Sequence, residues 1–502
     1  MGVKVQVIGH GKTSWNEGVL AVVRRNDGYL GGEDLLAASP ELQPLKEQFD
    51  SMPSLELSGF VPAKKARKSV VLLSPAQVKY QTPDNVLRIL ASRAVAFAKR
   101  VQAAQITFAL ESASSEDIMT IVQGAEAAAY SYTRYKSSGA LDPKSKNDSQ
   151  SLTINVVVPA SQVREIQKQV EAEVKTSAGV TLARDLVNEI PAELFPERLA
   201  EQAKKAATAA GLQVVIYDEK RLAKENFNGV LTVGKGSQHP PRVITMSHKP
   251  AGKAANGMHL CLVGKGVTFD TGGHSLKSAK GMWEMKGDMA GAAAVIGAMT
   301  VIGQLKPKIR VTGIVPSAVN AIGPEAVLPG DIIRSRSGKT VHVDNTDAEG
   351  RLLLMDALHL AQEMGATHII DVATLTGSIV RALGESVAGL FANDNDFAQK
   401  VIAAGKAVGE DFWQMPLVAE YRPMLDHPVA DIDNVGKGPN GGAIVAALFL
   451  KEFVSDSVKW AHLDIAGCGL YTKAHRHLGV GGSGFAVRTL VEVAGEIAAT
   501  GA

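Results

Sequence analysis

From about residue 176 onward the chain repeats one rhythm: a short apolar run, a glycine-rich turn, then a helical pattern. GMHLCLVGKG precedes AGAAAVIGAMTVIG, KIRVTGIVPS follows, TVHVDN precedes RLLLMDALHLAQEM, and HIIDVATL comes next. Strands that read as continuous apolar runs must be buried on both faces. When helices alternate with them, the solution is a mixed, mostly parallel sheet with helices on both faces. Sites in such sheets lie at the carboxyl ends of the strands. The polar residues of interest fall there.

At 502 residues the chain exceeds what one core serves, so a second domain is expected. The first third supplies it. VKVQVI, VLAVV, SVVLL, ITFAL and LTINVVV read as strands, and NVLRILASRAVAFAKRVQ as a helix. This N-terminal α/β domain, 1–165, carries no convincing chemical cluster. The polar stretch 131–151 reads as an exposed insertion. The charged helical pattern SQVREIQKQVEAEVKT then opens a larger segment, 166–502, which joins a connecting helix to a C-terminal catalytic α/β domain.

Charge is nearly balanced, with 53 Lys+Arg against 51 Asp+Glu, so no global field advertises nucleic acid. The two cysteines, Cys261 and Cys468, belong to no CxxC pair and read as buried thiols. The start lacks the apolar core of a signal peptide. No run approaches the roughly 18 consecutive apolar residues of a membrane span. A cytoplasmic protein is the expectation.

Two motifs fail. In GHGKTS, Gln6 stands where a phosphate-cradling loop needs its first glycine. GVGGSG, 479–484, follows HRHL rather than a strand, and the chain ends before the acidic residue of a dinucleotide fold could be placed. It reads as a turn before the last helix, FAVRTLVEVAGEI.

Two other segments concentrate charge in apolar surroundings. The first holds Lys265, Asp270, Lys277 and Asp288; the second holds Asp347, Glu349 and Arg351. The latter three are spaced i, i+2, i+4, which in extended chain points them to one side. Singly, each has a simpler reading. Thr346 and Glu349 form a capping box, Asp288 a helix cap, and Lys265 and Asp270 turn residues. Together they put several carboxylates and two lysines on one sheet edge, where carboxylates repel unless cations neutralise them. Oxygen donors favour magnesium, manganese or carboxylate-bound zinc, and HExxH is absent. Spacing alone therefore reads as a dinuclear carboxylate site, hydrolytic in character. It does not nominate a lysine as ligand, since an ammonium must first lose its proton.

NTDAEGRL, 345–352, resembles the signature of the leucyl aminopeptidase family, and VGKGVTFDTGG…SLK…MKGDMAGAA its other metal-binding stretch. ARDLVNEIPAELFP, PGDIIRSRSGKTVHV, DVATLTGSIVRALG, ADIDN and WAHLDIAG extend the likeness over roughly Ala183 to Leu490. The resemblance implies two divalent ions per subunit, manganese or zinc, with magnesium or cobalt as options at the exchangeable site. Lys265, Asp270, Asp288 and Glu349 would hold the tight ion. Asp270, Asp347 and Glu349 would hold the exchangeable one, with the Asp347 carbonyl. Lys277 would stabilise the tetrahedral intermediate, and Arg351 would hold a bicarbonate acting as general base. Met285, Thr374, Gly377 and Ala466 would line the first side-chain pocket. Substrates would be peptides with a free N-terminus, and the assembly a homohexamer.

Departures from the pattern stand at His342, where relatives usually carry Glu, at Asp344, and at Gly469, whose small size is expected to widen the pocket. His274 reads either as a support for Lys277 or as an exposed turn residue. Rival readings are another dinuclear hydrolase, such as a phosphatase, and an added DNA-binding or regulatory role.

Overall fold

The structure is a computed structural model that describes residues 3–500 apart from 12–16, 26–27, 38, 53–56, 62–67, 138–151 and 253–256. Most of the polar stretch 131–151, and the second half of GHGKTS, lie outside the described residues. The chain divides into two compact units, 1–177 with 473–479, and 178–472 with 480–502.

The first unit is built on strands β1 (Lys4–Gly9), β2 (Gly18–Arg25), β3 (Gly28–Tyr29), β4 (Leu57–Val61), β5 (Lys68–Leu73), β6 (Gln105–Ala109) and β7 (Thr153–Val158). Their order is β1-β7-β6-β2-β5-β4, with β3 on β2. The pairs along that order are parallel except β4 with β5. All five apolar runs of the first third are strands. The helix Pro83–Arg100 is capped by Thr82, whose hydroxyl accepts from Asn85 N, and it packs Leu87, Leu90, Ala94 and Phe97 into the core. Helix Val163–Asn188 is longer than the sequence pattern indicates and runs past the division at Ser177.

The second unit holds β8 (Gln213–Tyr217), β9 (Arg242–His248), β10 (His259–Gly264), β11 (Gly266–Asp270), β12 (Arg310–Asn320), β13 (Ile332–Arg334), β14 (Thr340–His342), β15 (His368–Ala373), β16 (Val387–Ala392), β17 (Asp411–Gln414), β18 (Ile432–Asp433) and β19 (Lys459–Asp464). The main sheet runs β17-β16-β19-β15-β10-β12-β9-β8, with β11 on β12, while β13-β14-β18 form a small separate sheet. The centre, β19-β15-β10-β12, is parallel; β9, β8 and the β16–β19 pair are antiparallel. Alternation along β10 shows why both faces must be covered. Leu260 and Leu262 pack into one core with the helices Ala290–Leu305 and Val487–Thr500. Cys261 and Val263 pack into the other, with Gly350–Glu363 and Gly442–Lys451.

Both cysteines are free and buried, and burial pushes the Cys261 thiol up to about 12, so it is inert at neutral pH. The stretch Met282–Leu305 is long and apolar enough to cross a membrane. However, 83% of its most apolar part is buried within the fold, as a core helix is. GVGGSG leads into the final helix, its Gly481–Gly482 paired with Leu470–Tyr471.

Candidate active site

The carboxyl ends of the central strands bring the charged residues together. Lys265 follows β10 directly, Asp270 ends β11, and Thr374 follows β15. Asp288 sits just before the helix Ala290–Leu305, while Asp347 and Glu349 precede Gly350–Glu363. One carboxylate oxygen each from Asp270, Asp347 and Glu349 lies within 4.8 Å of the others. Lys265 Nζ is 2.7 Å from Asp288 Oδ1 and 2.9 Å from Glu349 Oε1, and it donates to Thr374 O at 2.9 Å. Lys277 Nζ lies 2.8 Å from Asp270 Oδ2 and also contacts Asp347.

Of the simpler readings of these residues, that of Asp270 as a turn former holds, since its Oδ1 accepts from Gly272 N at 2.9 Å; the others do not. Glu349 occupies the cap position of its helix but makes no side-chain cap bond. The hydroxyl of Thr346 instead donates to Gly272 O at 2.6 Å and accepts from Ser275 N at 2.8 Å. Asp288 caps nothing: Thr374 Oγ1 and Lys265 take its Oδ1, and its buried Oδ2 has no partner. Lys265 is no exposed turn residue, being 3% exposed.

Arg351 differs from expectation. The chain from Asp347 to Arg351 is a turn entering a helix, so the extended-strand rule does not apply and the three side chains do not share one side. Arg351 lies in the first helical turn. Its Nη1 donates to Asn434 O at 2.8 Å, and it lines a smaller cavity of ≈ 140 Å³ with Met424, Asn440 and Val445. Its buried Nε has no partner, and burial lowers its pKa to about 10 against the pull of Glu349 and Asp464.

Taking ions out of water costs several kcal/mol each, so this cluster carries strain that its pKa values register. Burial, then the Glu349 charge, raises Asp270 to about 6 against Lys277 and Lys265. Burial drives Asp288 well above the carboxylate range and raises Asp347. Burial acts the same way on Glu349, but Lys265 and Lys277 overcome it and hold that residue low. For Lys265, burial opposes the charge, yet Asp288, Glu349 and Asp270 outweigh it and push its pKa up. Four carboxylates exceed two ammoniums, and an acceptor-rich set with an orphaned buried oxygen is what divalent cations fit.

A cavity of ≈ 280 Å³ opens onto this cluster, and Met285, Thr374, Gly377 and Ala466 all line it, with Val380 and Leu470 adding apolar wall. Gly469 does not line that cavity. A Cβ there would lie 2.9 Å from Ala290 Cβ and 3.2 Å from Thr374 Cγ2, so its small size serves packing behind the wall and does not widen the pocket. His274 is exposed.

Sequence reasoning missed Asn320. Its Nδ2 donates to Asp270 Oδ1 at 2.8 Å and to Thr346 O at 3.0 Å, tying the Asp270 carboxylate to the backbone of the second charged segment. A lone asparagine closing the apolar strand VTGIVPSAVN is the only signal it leaves. Asn434 was missed too: its Oδ1 accepts from Asp344 N and Asn345 N.

The family model described as cytosol aminopeptidase family, catalytic domain, matches residues 181–491. A probable cytosol aminopeptidase of Solibacter usitatus is 40% identical over 94% of this chain and 94% of its own length. One of Streptomyces avermitilis is 44% identical over 82% of this chain and 78% of its own. Among solved structures, a mutant tomato leucine aminopeptidase matches with a TM-score of 0.82 at 32% identity, covering 99% of this chain and 97% of that one. The bottromycin maturation enzyme BotP in complex with Mn matches at 0.81 and 32%, covering 96% and 99%. Charged cluster, cavity and likeness over the catalytic unit agree, and this chain belongs to the cytosol aminopeptidase family of metalloaminopeptidases.

Proposed function

We propose that this chain releases N-terminal residues from peptides at a dinuclear metal site formed by Lys265, Asp270, Asp288, Asp347 and Glu349. The convergence of Asp270, Asp347 and Glu349 within 4.8 Å carries this reading. Asp270, Asp288, Glu349 and Lys265 would hold one ion; Asp270, Asp347 and Glu349 would hold the other. A pair of divalent ions, manganese or zinc, supplies Lewis acidity and an activated water.

The chain's own residues do the rest. The substrate's free α-amine would be held, deprotonated, at the metal site that these carboxylates form, and that requirement makes the reaction exopeptidic. Met285, Thr374, Gly377 and Ala466 seat the first side chain. Lys277 places positive charge where the oxyanion develops. Lys265 must shed its proton to serve as a ligand, which couples metal uptake to proton release. Bicarbonate at Arg351, as general base, is supported by the family resemblance and by a buried guanidinium whose Nε lacks a partner. We also infer from family likeness a homohexamer, a cytoplasmic location, and a division of labour between an N-terminal domain, 1–165, and a catalytic segment, 166–502.

The deciding experiment compares Leu-p-nitroanilide with p-nitrophenyl phosphate, using chelated protein reloaded with manganese or zinc. Metal-dependent cleavage of the anilide alone supports the reading. Phosphatase activity without peptidase activity overturns it.

A further inference from the structure

Glu284 lines the catalytic cavity but belongs neither to the carboxylate cluster nor to the four residues that seat the first side chain. It lies in the short 3₁₀ helix Met282–Met289, next to Met285, and is half-buried. The chain enters that helix through Gly281, at a φ of 79°, and Glu284 N donates back to Gly281 O at 3.0 Å. The turn thereby fixes the backbone that brings the carboxylate to the cavity wall.

The nearby cations are committed elsewhere. Lys265 pairs with Asp288 and Glu349, and Lys277 with Asp270 and Asp347. Lys286, two positions further on, donates to Asn188 O at 2.8 Å. Arg381, beside Gly377, donates to Ser378 Oγ at 3.0 Å. Among the described residues, the Glu284 carboxylate has neither an ion pair nor a hydrogen bond. Its neighbours on the wall, Met285, Val380 and Leu470, are apolar and offer it none.

We propose that Glu284 sets the charge preference of the first side-chain pocket, admitting peptides that begin with lysine or arginine and rejecting those that begin with aspartate or glutamate. The inference rests on the aminopeptidase reading above. Lysine and arginine lay aliphatic stems along apolar surface while the charged head reaches a polar partner. Met285, Val380 and Leu470 supply the surface, and Glu284 the partner. A carboxylate on a partly dehydrated wall is stabilised by an arriving cation, and a guanidinium can bind it through two parallel hydrogen bonds. Leucine meets the same apolar wall without using the carboxylate, so apolar and basic first residues are both accepted. An acidic first residue sets like charges side by side, and nothing on this wall neutralises them.

The test is a ratio of rates. Manganese-loaded full-length protein is assayed for kcat/KM on the p-nitroanilides of Arg, Lys, Leu and Glu. The parent chain should cleave the Arg and Lys anilides at rates comparable with Leu, and the Glu anilide far more slowly. Glu284→Gln should lower the Arg/Leu ratio by about fivefold, the scale of a partly exposed ion pair. Glu284→Lys should lower it further and raise the Glu/Leu ratio. Added salt should depress the Arg/Leu ratio of the parent more than that of Glu284→Gln. Damage to the fold or to metal loading moves all four substrates together, so the ratios report on charge alone. An Arg/Leu ratio unchanged in both variants overturns the proposal, as does a parent chain that cleaves the Glu anilide as fast as the Arg anilide. A chain that cleaves none of the four fails the aminopeptidase reading and this inference with it; cleavage with unmoved ratios removes this inference alone.

Discussion

Gly350 rests against the side chain of Lys265: a methyl group on its α-carbon would lie 2.7 Å from Nζ and 2.8 Å from Cδ. The glycine between Glu349 and Arg351 is the surface on which the ammonium lies. Gly350→Ala should displace Lys265, lowering turnover by about 100-fold and weakening metal retention. Alanine is the better helix former by up to about 1 kcal/mol, so an unchanged circular-dichroism spectrum is expected. Normal turnover of this variant would show that the Lys265 position is not critical.

Glu349 and Lys277 should separate metal binding from transition-state stabilisation. Glu349→Ala removes a carboxylate that Lys265 holds ionised, and metal content and activity should fall together. Lys277→Ala should leave metals bound while kcat drops by roughly 10²–10³, the scale of losing one oxyanion donor. Metal analysis beside steady-state kinetics checks both, and near-normal turnover in Lys277→Ala would remove its assigned role.

The pocket wall predicts a specificity change. Ala466→Leu adds bulk to the cavity beside Thr374 and Gly377. Preference in kcat/KM should move from Leu- toward Ala-p-nitroanilide by about tenfold, in line with 1–3 kcal/mol per methylene in a hydrophobic pocket. An unchanged ratio would place the first side chain elsewhere.

His259, 2% exposed and 2.9 Å through Nε2 from Thr312 Oγ1, should contribute to acid sensitivity. Burial lowers its pKa from 6.5 to about 4. The unfolded chain therefore takes up a proton that the folded chain refuses. The stability tied to the neutral ring is present above pH 6.5 and is lost as pH falls through about 4. His259→Asn removes this linkage, so its melting temperature should decline less over that interval than that of the parent chain.

The sheet was legible because its strands are buried on both faces and so appear as unbroken apolar runs. The carboxylate cluster was legible because Asp270, Asp288, Asp347 and Glu349 have no competing role that explains all of them. Direction was harder to read. Arg351 looked aligned with Asp347 and Glu349, but helix geometry begins at Gly350 and turns it toward Asn434. Asn320 acts through two bonds to segments distant in sequence, and no local pattern encodes that. His342 and Asp433, 91 positions apart, meet only once β14 and β18 pair.

The bonds from Asn320 to both Asp270 and Thr346 have a consequence for how the enzyme is made. Neither charged loop owns its conformation; each borrows it from the other across the end of β12. During synthesis the first loop emerges well before the second, and until residues 345–349 arrive it has its bonds to Asn320 but lacks those of Gly272 and Ser275 to Thr346. Catalytic competence is therefore acquired in one late event, and a nascent or partly degraded chain lacking the second loop has no half-working site with which to cut peptides.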